Sequence, residues 1–462
     1  MNKKIISLLT ALLFSTLFFK QHLGLNVLLF ALITILVLAI LYPIKFKNLK
    51  VISYALFYLL SAANVFFYNS YLALIASTLS FFVLLGAVIE PKTSIYVQVL
   101  NGFYTSIASF FATTFQQLQE ESTAVKKRNI NYNYWAKMIG IPLIIATIFI
   151  VLYRSANPIF DGIIQQINFS FINMPWVLFT VLGYFLMLNI THPVKVETIT
   201  ATDLATPNIL TKKTMIKQPV ESLQQENQLA VVLLVVLNGL LIFFLIADFV
   251  YLVNITDLTA PDLSKTVHEG IYALITSIVL AITIILYFFR GNLNFYEKNK
   301  NVKLLTFTWI LLNVVLVLVT SYKNYLYVFQ YGFTYKRIGV FIYLCLSLIG
   351  LLTTFAKVSE VYNLWYLLRK NTQVAFLLVM VLTTVNWDYA ITRYNIEYAM
   401  SIDFDYLIEL SNNNAHLLHE YTEKHRQKGM ISEKERINEK YQNYIQQLKK
   451  NSWQELVYDN IK

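Results

Sequence analysis

A chain of 462 residues that is 57% hydrophobic and only 14% charged holds more apolar side chain than a soluble core encloses, since soluble domains run near about 25% charged. Its net charge of +11 is scattered through short loops between apolar runs rather than gathered in one patch, which argues against a nucleic-acid surface and for membrane topology signals. The single cysteine, Cys345, lies within an apolar run, so an intrachain disulfide and the common cysteine-based metal sites are excluded.

The N-terminus opens with Lys3 and Lys4 before an apolar run from Ile5 to Phe19. No small-residue cleavage site follows, and Lys20, Gln21 and His22 lead into a second run, Leu23 to Tyr42. The first run therefore reads as a retained, short membrane helix whose flanking lysines snorkel. Further runs at Val51 to Phe67, Tyr71 to Ile89, Met138 to Tyr153, Met174 to Ile190, Leu229 to Val253, Gly270 to Phe289, Leu304 to Thr320, Ile338 to Phe355 and Val374 to Ile391 bring the expected spans to about eleven. The expected fold is therefore all-α, a polytopic helical membrane protein.

Between Ser94 and Phe115 the apolar residues are interrupted by Gln98, Asn101, Thr105, Ser106 and Ser109. This segment is expected to be an in-plane amphipathic helix in the interface. With that placement and the N-terminus inside, the inner loops collect twenty-one Lys and Arg against six in the outer loops. Counting the segment as a span would flip every later loop and destroy the bias. The expected organisation is an N-terminal bundle of six helices (1–191, with interfacial helix 94–115), a flexible cytoplasmic linker (192–228), a C-terminal bundle of five (229–391) and an extracytoplasmic helical tail (392–462). The expected location is the bacterial inner membrane, with the N-terminus cytoplasmic and the C-terminus extracytoplasmic. Beyond the lipid bilayer, a protein partner through residues 392–462 is expected, and no nucleic acid.

In the tail, Leu407, Leu410, Leu417, Leu418 and Tyr421 flank Asn412 to Asn414 at helical spacing, and Gly429 ends that helix. Ser432 with Glu435 reads as a capping box ahead of an apolar face of Ile437, Tyr441, Tyr444, Ile445 and Leu448, so a helical hairpin is predicted, closed by Trp453, Leu456 and Val457.

Ionisable residues at membrane depth are costly and are functional candidates for that reason. Asp248 and Asp388 lie inside spans, and Asp257, His268, Glu269, Arg337 and Arg393 lie just outside. All seven fall on the outer side, as a candidate polar cluster. Asp388, Thr392 and Asn395 share a helix face, whereas Asp388 and Arg393 lie about 140° apart and must each find another helix or water. Plausible pairings are Asp388 with Arg337, and Arg393 with Asp248 or Glu269. Structural anchoring by salt bridges and an aromatic belt is the competing reading of the same residues. His268 has no second histidine at metal spacing, so neither a metal nor a cofactor is expected. Lys357 and Glu360, at i and i+3, read as an ion pair flanking a span. No phosphate loop, nucleophile elbow or paired-histidine protease motif occurs, so no catalytic residue is assigned.

Several motifs occur in a fixed order: Ser155-Ala156-Asn157-Pro158-Ile159-Phe160, His268-Glu269-Gly270-Ile271-Tyr272, Phe288 to Tyr296, Tyr331-Gly332-Phe333-Thr334-Tyr335-Lys336-Arg337-Ile338-Gly339, and Asn386-Trp387-Asp388 with Arg393-Tyr394-Asn395. Together they resemble a family of bacterial multi-pass inner-membrane proteins catalogued only as a domain of unknown function, over roughly Tyr153 to Trp453. The resemblance implies membrane residence and no substrate. Many relatives read Asn-Pro-Asp where this chain has Asn386-Trp387-Asp388, which puts a kink there in question. Three functions remain open: a non-enzymatic envelope sensor, scaffold or regulator acting through its tail; a secondary transporter or ion-coupled permease using Asp248 and Asp388; and an intramembrane enzyme acting on a lipid-linked substrate.

Overall fold

The computed structural model describes residues 3–123, 132–166, 173–212, 219–253, 260–424 and 431–458, and within them the chain is helical with no named strand. It begins with α1 (Lys3–Phe18), α2 (Leu25–Leu41), α3 (Leu49–Tyr68) and α4 (Tyr71–Ile89). Asn48 and Ser70 start α3 and α4 as N-caps, and Asn69 ends α3 in the left-handed conformation that asparagine tolerates best after glycine. Buried Ala55, Ala62, Ala73 and Ala76 let α3 and α4 approach closely, and the Ser61 and Ser80 hydroxyls bond across at 2.8 Å.

Helix α5 (Ile95–Thr123) turns back along α4. A Cβ on Gly86 or Gly102 would lie 2.0 Å from the carbonyl oxygen of Gln98 or Phe82, so only glycine permits this contact. The expected interfacial role of 94–115 needs correction. Gln98, Asn101, Thr105 and Ser109 are fully buried, and the chain from Asn189 to Asp203 covers them: Asn101 Oδ1 accepts from the Val196 amide at 2.9 Å, and Thr105 Oγ1 from the Val194 amide at 3.0 Å. The polar face of α5 is a docking strip for protein backbone, whereas an interfacial helix turns that face to headgroups.

Helices α6 (Tyr132–Ala156), α7 (Pro158–Gln166) and α8 (Met174–Thr191) follow. Asn157 accepts from the amides of Ile159 and Phe160 and starts α7 with Pro158 in its first turn. The stretch expected to be a flexible linker contains α9 (Glu197–Ala205), and residues 208–210 pair with the turn at Val361 to Asn363. Backbone pairing and the ties of Asp203 hold residues 203–210 in place where the Thr- and Pro-rich composition suggests no order.

The second half packs α10 (Val220–Val253), α11 (Ala260–Phe288), α12 (Lys300–Tyr331) and α13 (Tyr335–Ser359) around a core of Leu234, Ile278, Ile285, Phe289, Trp309 and Leu351. Helix α14 (Leu364–Leu382) is followed by α15 (Trp387–Tyr398) at a 65° bend. The run Val374 to Ile391, expected as one span, is thus broken. Thr383 and Thr384 hydroxyls bond the Met380 and Val381 carbonyls, the Trp387 indole N–H bonds the Leu382 carbonyl at 2.9 Å, and Asn386 caps α15. Trp387, where the resemblance left a kink in question, closes the bend by satisfying a carbonyl the broken helix frees. Each expected span falls on a helix, but six among the described residues are long and apolar enough to cross a membrane, or seven with the bent pair as one; the count of eleven is not reached.

The tail folds into α16 (Phe404–Glu409), α17 (Ala415–Lys424) and α18 (Ile431–Lys450). Gly429 is outside the described residues, and so are the residues leading into α18 and the side chain of Ser432 on which the expected capping box rests. The carboxylate-to-amide cap occurs instead at the next turn, where Glu455 accepts from the Ser452 amide at 3.1 Å. The His419 and Tyr441 rings stack 4.1 Å apart between α17 and α18. Leu407, Leu418 and Ile437 share one buried cluster with Ile338 of α13 and Ile391 of α15. The tail is therefore a cap whose core is continuous with the bundle.

Candidate functional site: the polar joint around α15

The joint begins at the turn between α12 and α13. Gly332 ends α12 with φ +74°, its amide bonding the Val328 carbonyl at 2.8 Å. A Cβ there would also meet the Asn395 side chain at 2.3 Å. Asn395 bonds both backbone groups of Phe333, accepting from its amide at 2.6 Å and donating to its carbonyl at 2.9 Å. Thr334 then caps α13 by accepting from the Arg337 amide.

Arg337 does not meet Asp388. Its guanidinium donates to the Tyr331 and Gly332 carbonyls at 2.7 and 2.6 Å and lies 4.0 Å over the Tyr327 ring. Those carbonyls are among the orphan acceptors of the α12 C-terminus, so Arg337 serves as a cationic cap there. Asp388 is 5% exposed and accepts from the Tyr335 hydroxyl at 2.7 Å and from the Ser411 hydroxyl. Thr392, one turn on, accepts from Asn414 at 2.8 Å. The shared face of Asp388, Thr392 and Asn395 is thus buried along its length, with the loop before α13 on one side and the cap on the other.

Arg393 points elsewhere. It is exposed and pairs with Glu397 one turn along at 3.0 Å, whereas Asp248 pairs elsewhere; the angular separation from Asp388 carries it to the outer surface. Asp248 pairs with Lys323 of α12, both side chains largely buried. Asp257 lies outside the described residues, and so do the side chains of His268 and Glu269. Asp248, Arg337, Asp388 and Arg393 are four separately partnered groups, and they do not gather into one cluster.

The sequence missed Lys440 and Lys323 and gave Lys357 another partner. Lys440 of α18 reaches into the joint, donating to the Ile408 and Leu410 carbonyls at 2.9 and 2.7 Å; burial pushes its ammonium down to about 8, with nearby Asp388 pulling the other way. Lys323 lies beyond the apolar run that ends at Thr320, yet α12 continues to Tyr331 and carries it. Lys357 is 2% exposed and donates to the Phe289 carbonyl at 2.7 Å, so it caps the end of α11 instead of pairing with Glu360.

On the opposite end of the helices a second polar centre forms around Asp203. Its carboxylate accepts from the Ser94 amide at 2.8 Å, the Ser94 and Tyr96 hydroxyls, and Arg369 of α14 at 3.1 Å. Arg369 also donates to the Thr206 carbonyl and Asn208. Burial alone would raise the Asp203 carboxyl, but these donors outweigh it and hold it below the usual carboxylate range.

No group of three or more metal-ligating side chains occurs among the described residues. The family model described as Domain of unknown function (DUF4153) matches residues 6–421. No curated protein and no solved structure matches the chain.

Proposed function

The chain belongs to the DUF4153 family, a domain of unknown function, and we propose from its own geometry that it is a non-enzymatic membrane protein whose C-terminal cap is its sensing or regulatory element. The observation that carries this reading is how the cap is attached. Polar contacts fasten it to three separate turns at one end of the helices. Asn413 donates to the Tyr68 carbonyl after α3, Glu455 and the Leu456 carbonyl accept from the His22 and Leu25 amides before α2, and Ser411 with Asn414 engages α15. A segment tied to both halves of the chain is placed to report a change in either. Neutral donors to Asp388, in place of a salt bridge, suit a contact that can be broken and remade.

With the N-terminal Lys3 and Lys4 inside, the turns at His22 and Tyr68 lie on the outer side, and the ties of the cap to both support placing it outside the cytoplasm of a bacterial inner membrane. A protein partner at the cap fits its exposed rim, where Tyr398, Met400 and Trp453 are accessible. The test is in-cell crosslinking of the full chain against a chain ending at Ile402. Loss of crosslinked species on truncation supports the reading; an unchanged set, with the truncated chain still inserted in the membrane, overturns it.

A further inference from the structure

The interface of α10, α12 and α13 buries oxygen atoms that the protein itself does not satisfy. Among the described residues, Asn238 Oδ1 and Asp248 Oδ2 on α10, and Thr306 Oγ1 and Asn324 Oδ1 on α12, are buried with no hydrogen-bond partner in the protein. Thr306 is fully buried and Asn324 is 1% exposed. The donor atoms of the amides are engaged. Asn238 Nδ2 donates to the Leu234 and Leu305 carbonyls at 2.8 and 3.1 Å, and Asn324 Nδ2 to the Arg337 carbonyl at 3.1 Å. What remains along this interface is three acceptor oxygens and the Thr306 hydroxyl, which can both accept and donate. Each buried acceptor left unmatched costs about 1–3 kcal/mol, and more in hydrocarbon than beside water.

The same face of α12 continues through Asn313 and Thr320, both buried. Helix α13 runs antiparallel to it, in a register set by the Asn324–Arg337 contact and by the Phe307 and Phe355 rings 4.7 Å apart. On that register Ser347 lies level with Asn313, and Thr354 with Thr306; both are buried. Titratable groups bound the polar file at its two ends: Lys357 at one, and the Asp248–Lys323 pair at the other.

Geometry decides what such a file holds. Thr306 and Asn324 are separated by roughly 27 Å at about 1.5 Å per residue, close to the hydrocarbon thickness of about 30 Å. A bound cation gathers six or more oxygens within about 2.6 Å, which acceptors strung along an axis do not supply. A line of separated acceptors instead matches a line of water molecules, each donating an O–H to the wall and one to its neighbour.

We propose that α10, α12 and α13 enclose a proton-conducting water file that runs from Lys357 to the Asp248–Lys323 pair. Each step along it breaks one O–H bond and forms one in the next molecule, so a proton arrives at one end as another leaves the other, and nothing is consumed. Asp248 is the terminal acceptor, its second oxygen being the one that Lys323 leaves unbonded. This activity is independent of the regulatory role of the cap.

The experiment uses the full chain reconstituted in phosphatidylcholine–phosphatidylglycerol vesicles containing a pH-sensitive dye. A potassium gradient with valinomycin drives protons inward, and the initial acidification rate is read. The wild type is expected to acidify about ten-fold faster than empty vesicles, as a hydrated pore would. Thr306→Val, nearly isosteric, and Asn313→Leu are expected to fall to the empty-vesicle rate, while Thr308→Val, on the exposed face of α12, keeps the wild-type rate. Wild-type vesicles no faster than empty ones overturn the proposal. So does a wild-type rate in both Thr306→Val and Asn313→Leu.

Discussion

Two buried aspartates close the two ends of the helices, and they do so by opposite means. Asp203 is met by the guanidinium of Arg369 together with two hydroxyls and a backbone amide. Asp388, equally buried, is bonded by the hydroxyls of Tyr335 and Ser411; the nearby Lys440 spends its donors on backbone carbonyls instead. A buried charge matched by a counter-charge is a fixed tie, because removing either partner strands the other. A carboxylate matched by neutral hydroxyls releases its partners at lower cost. The first centre fixes residues 192–212 to α5 and α14; the second holds the cap, and on the proposed reading it is the tie that is broken and remade.

The largest effect expected follows from the fixed tie. Arg369→Ala leaves Asp203 buried without its cation, and loss of one member of such a pair costs about 3–4 kcal/mol. Thermal unfolding in detergent should show a matching drop, and hydrogen exchange should rise first at residues 194–210. Faster exchange confined to the cap would reverse the assignment of the two centres. Next comes Leu418→Ala, which empties a fully buried position in the cluster shared by cap and bundle. A cost of about 3 kcal/mol is expected, read as increased exchange over 404–450 with α12 unchanged. Asp388→Asn is smaller, at about 1–2 kcal/mol, because an amide still accepts one hydrogen bond but loses the charge that strengthens both. A loss as large as that of Arg369→Ala would show that the two aspartates are equivalent after all.

The difference between the centres also shows what a sequence discloses. The helices were legible because apolar runs of this length leave few alternatives. So was the shared face of Asp388, Thr392 and Asn395, which follows from helix geometry alone. The partners were not legible. Tyr335 is 53 residues from Asp388 and Lys323 is 75 from Asp248, separations across which local spacing carries no information. Polarity also misled where it served packing. The hydroxyls and amides of α5 read as an interfacial face, yet they receive the backbone of residues 189–203, and the Thr- and Pro-rich stretch that read as flexible is what they hold. Trp387 was ambiguous: the missing proline left a kink in question, and the indole N–H makes a bond that accompanies the bend.

The smallest effect concerns pH, and it distinguishes the cap from the fixed tie by its sign. Burial lowers Lys440 to about 8 from an ordinary 10.5, so the detached cap binds a proton there more tightly than the attached one. Between those two values the released state carries more protons, and attachment strengthens as pH rises. Below about pH 8 the penalty of the buried ammonium is present in full. Asp203 behaves oppositely: its carboxyl is held low, so its stabilisation is complete at neutral pH and is lost only in acid, as pH falls through its folded value. Raising the pH from 7 to 9.5 should therefore increase the hydrogen-exchange protection factors, with the base-catalysed intrinsic rate divided out, over 404–450 and leave those of residues 194–210 unchanged. Lys440→Met should abolish the slope in the cap, because the apolar side chain occupies the same space without a proton to lose. A cap whose protection factors are flat with pH in the wild type would mean that Lys440 keeps its charge at no cost, and that the joint is as fixed as the one at Asp203.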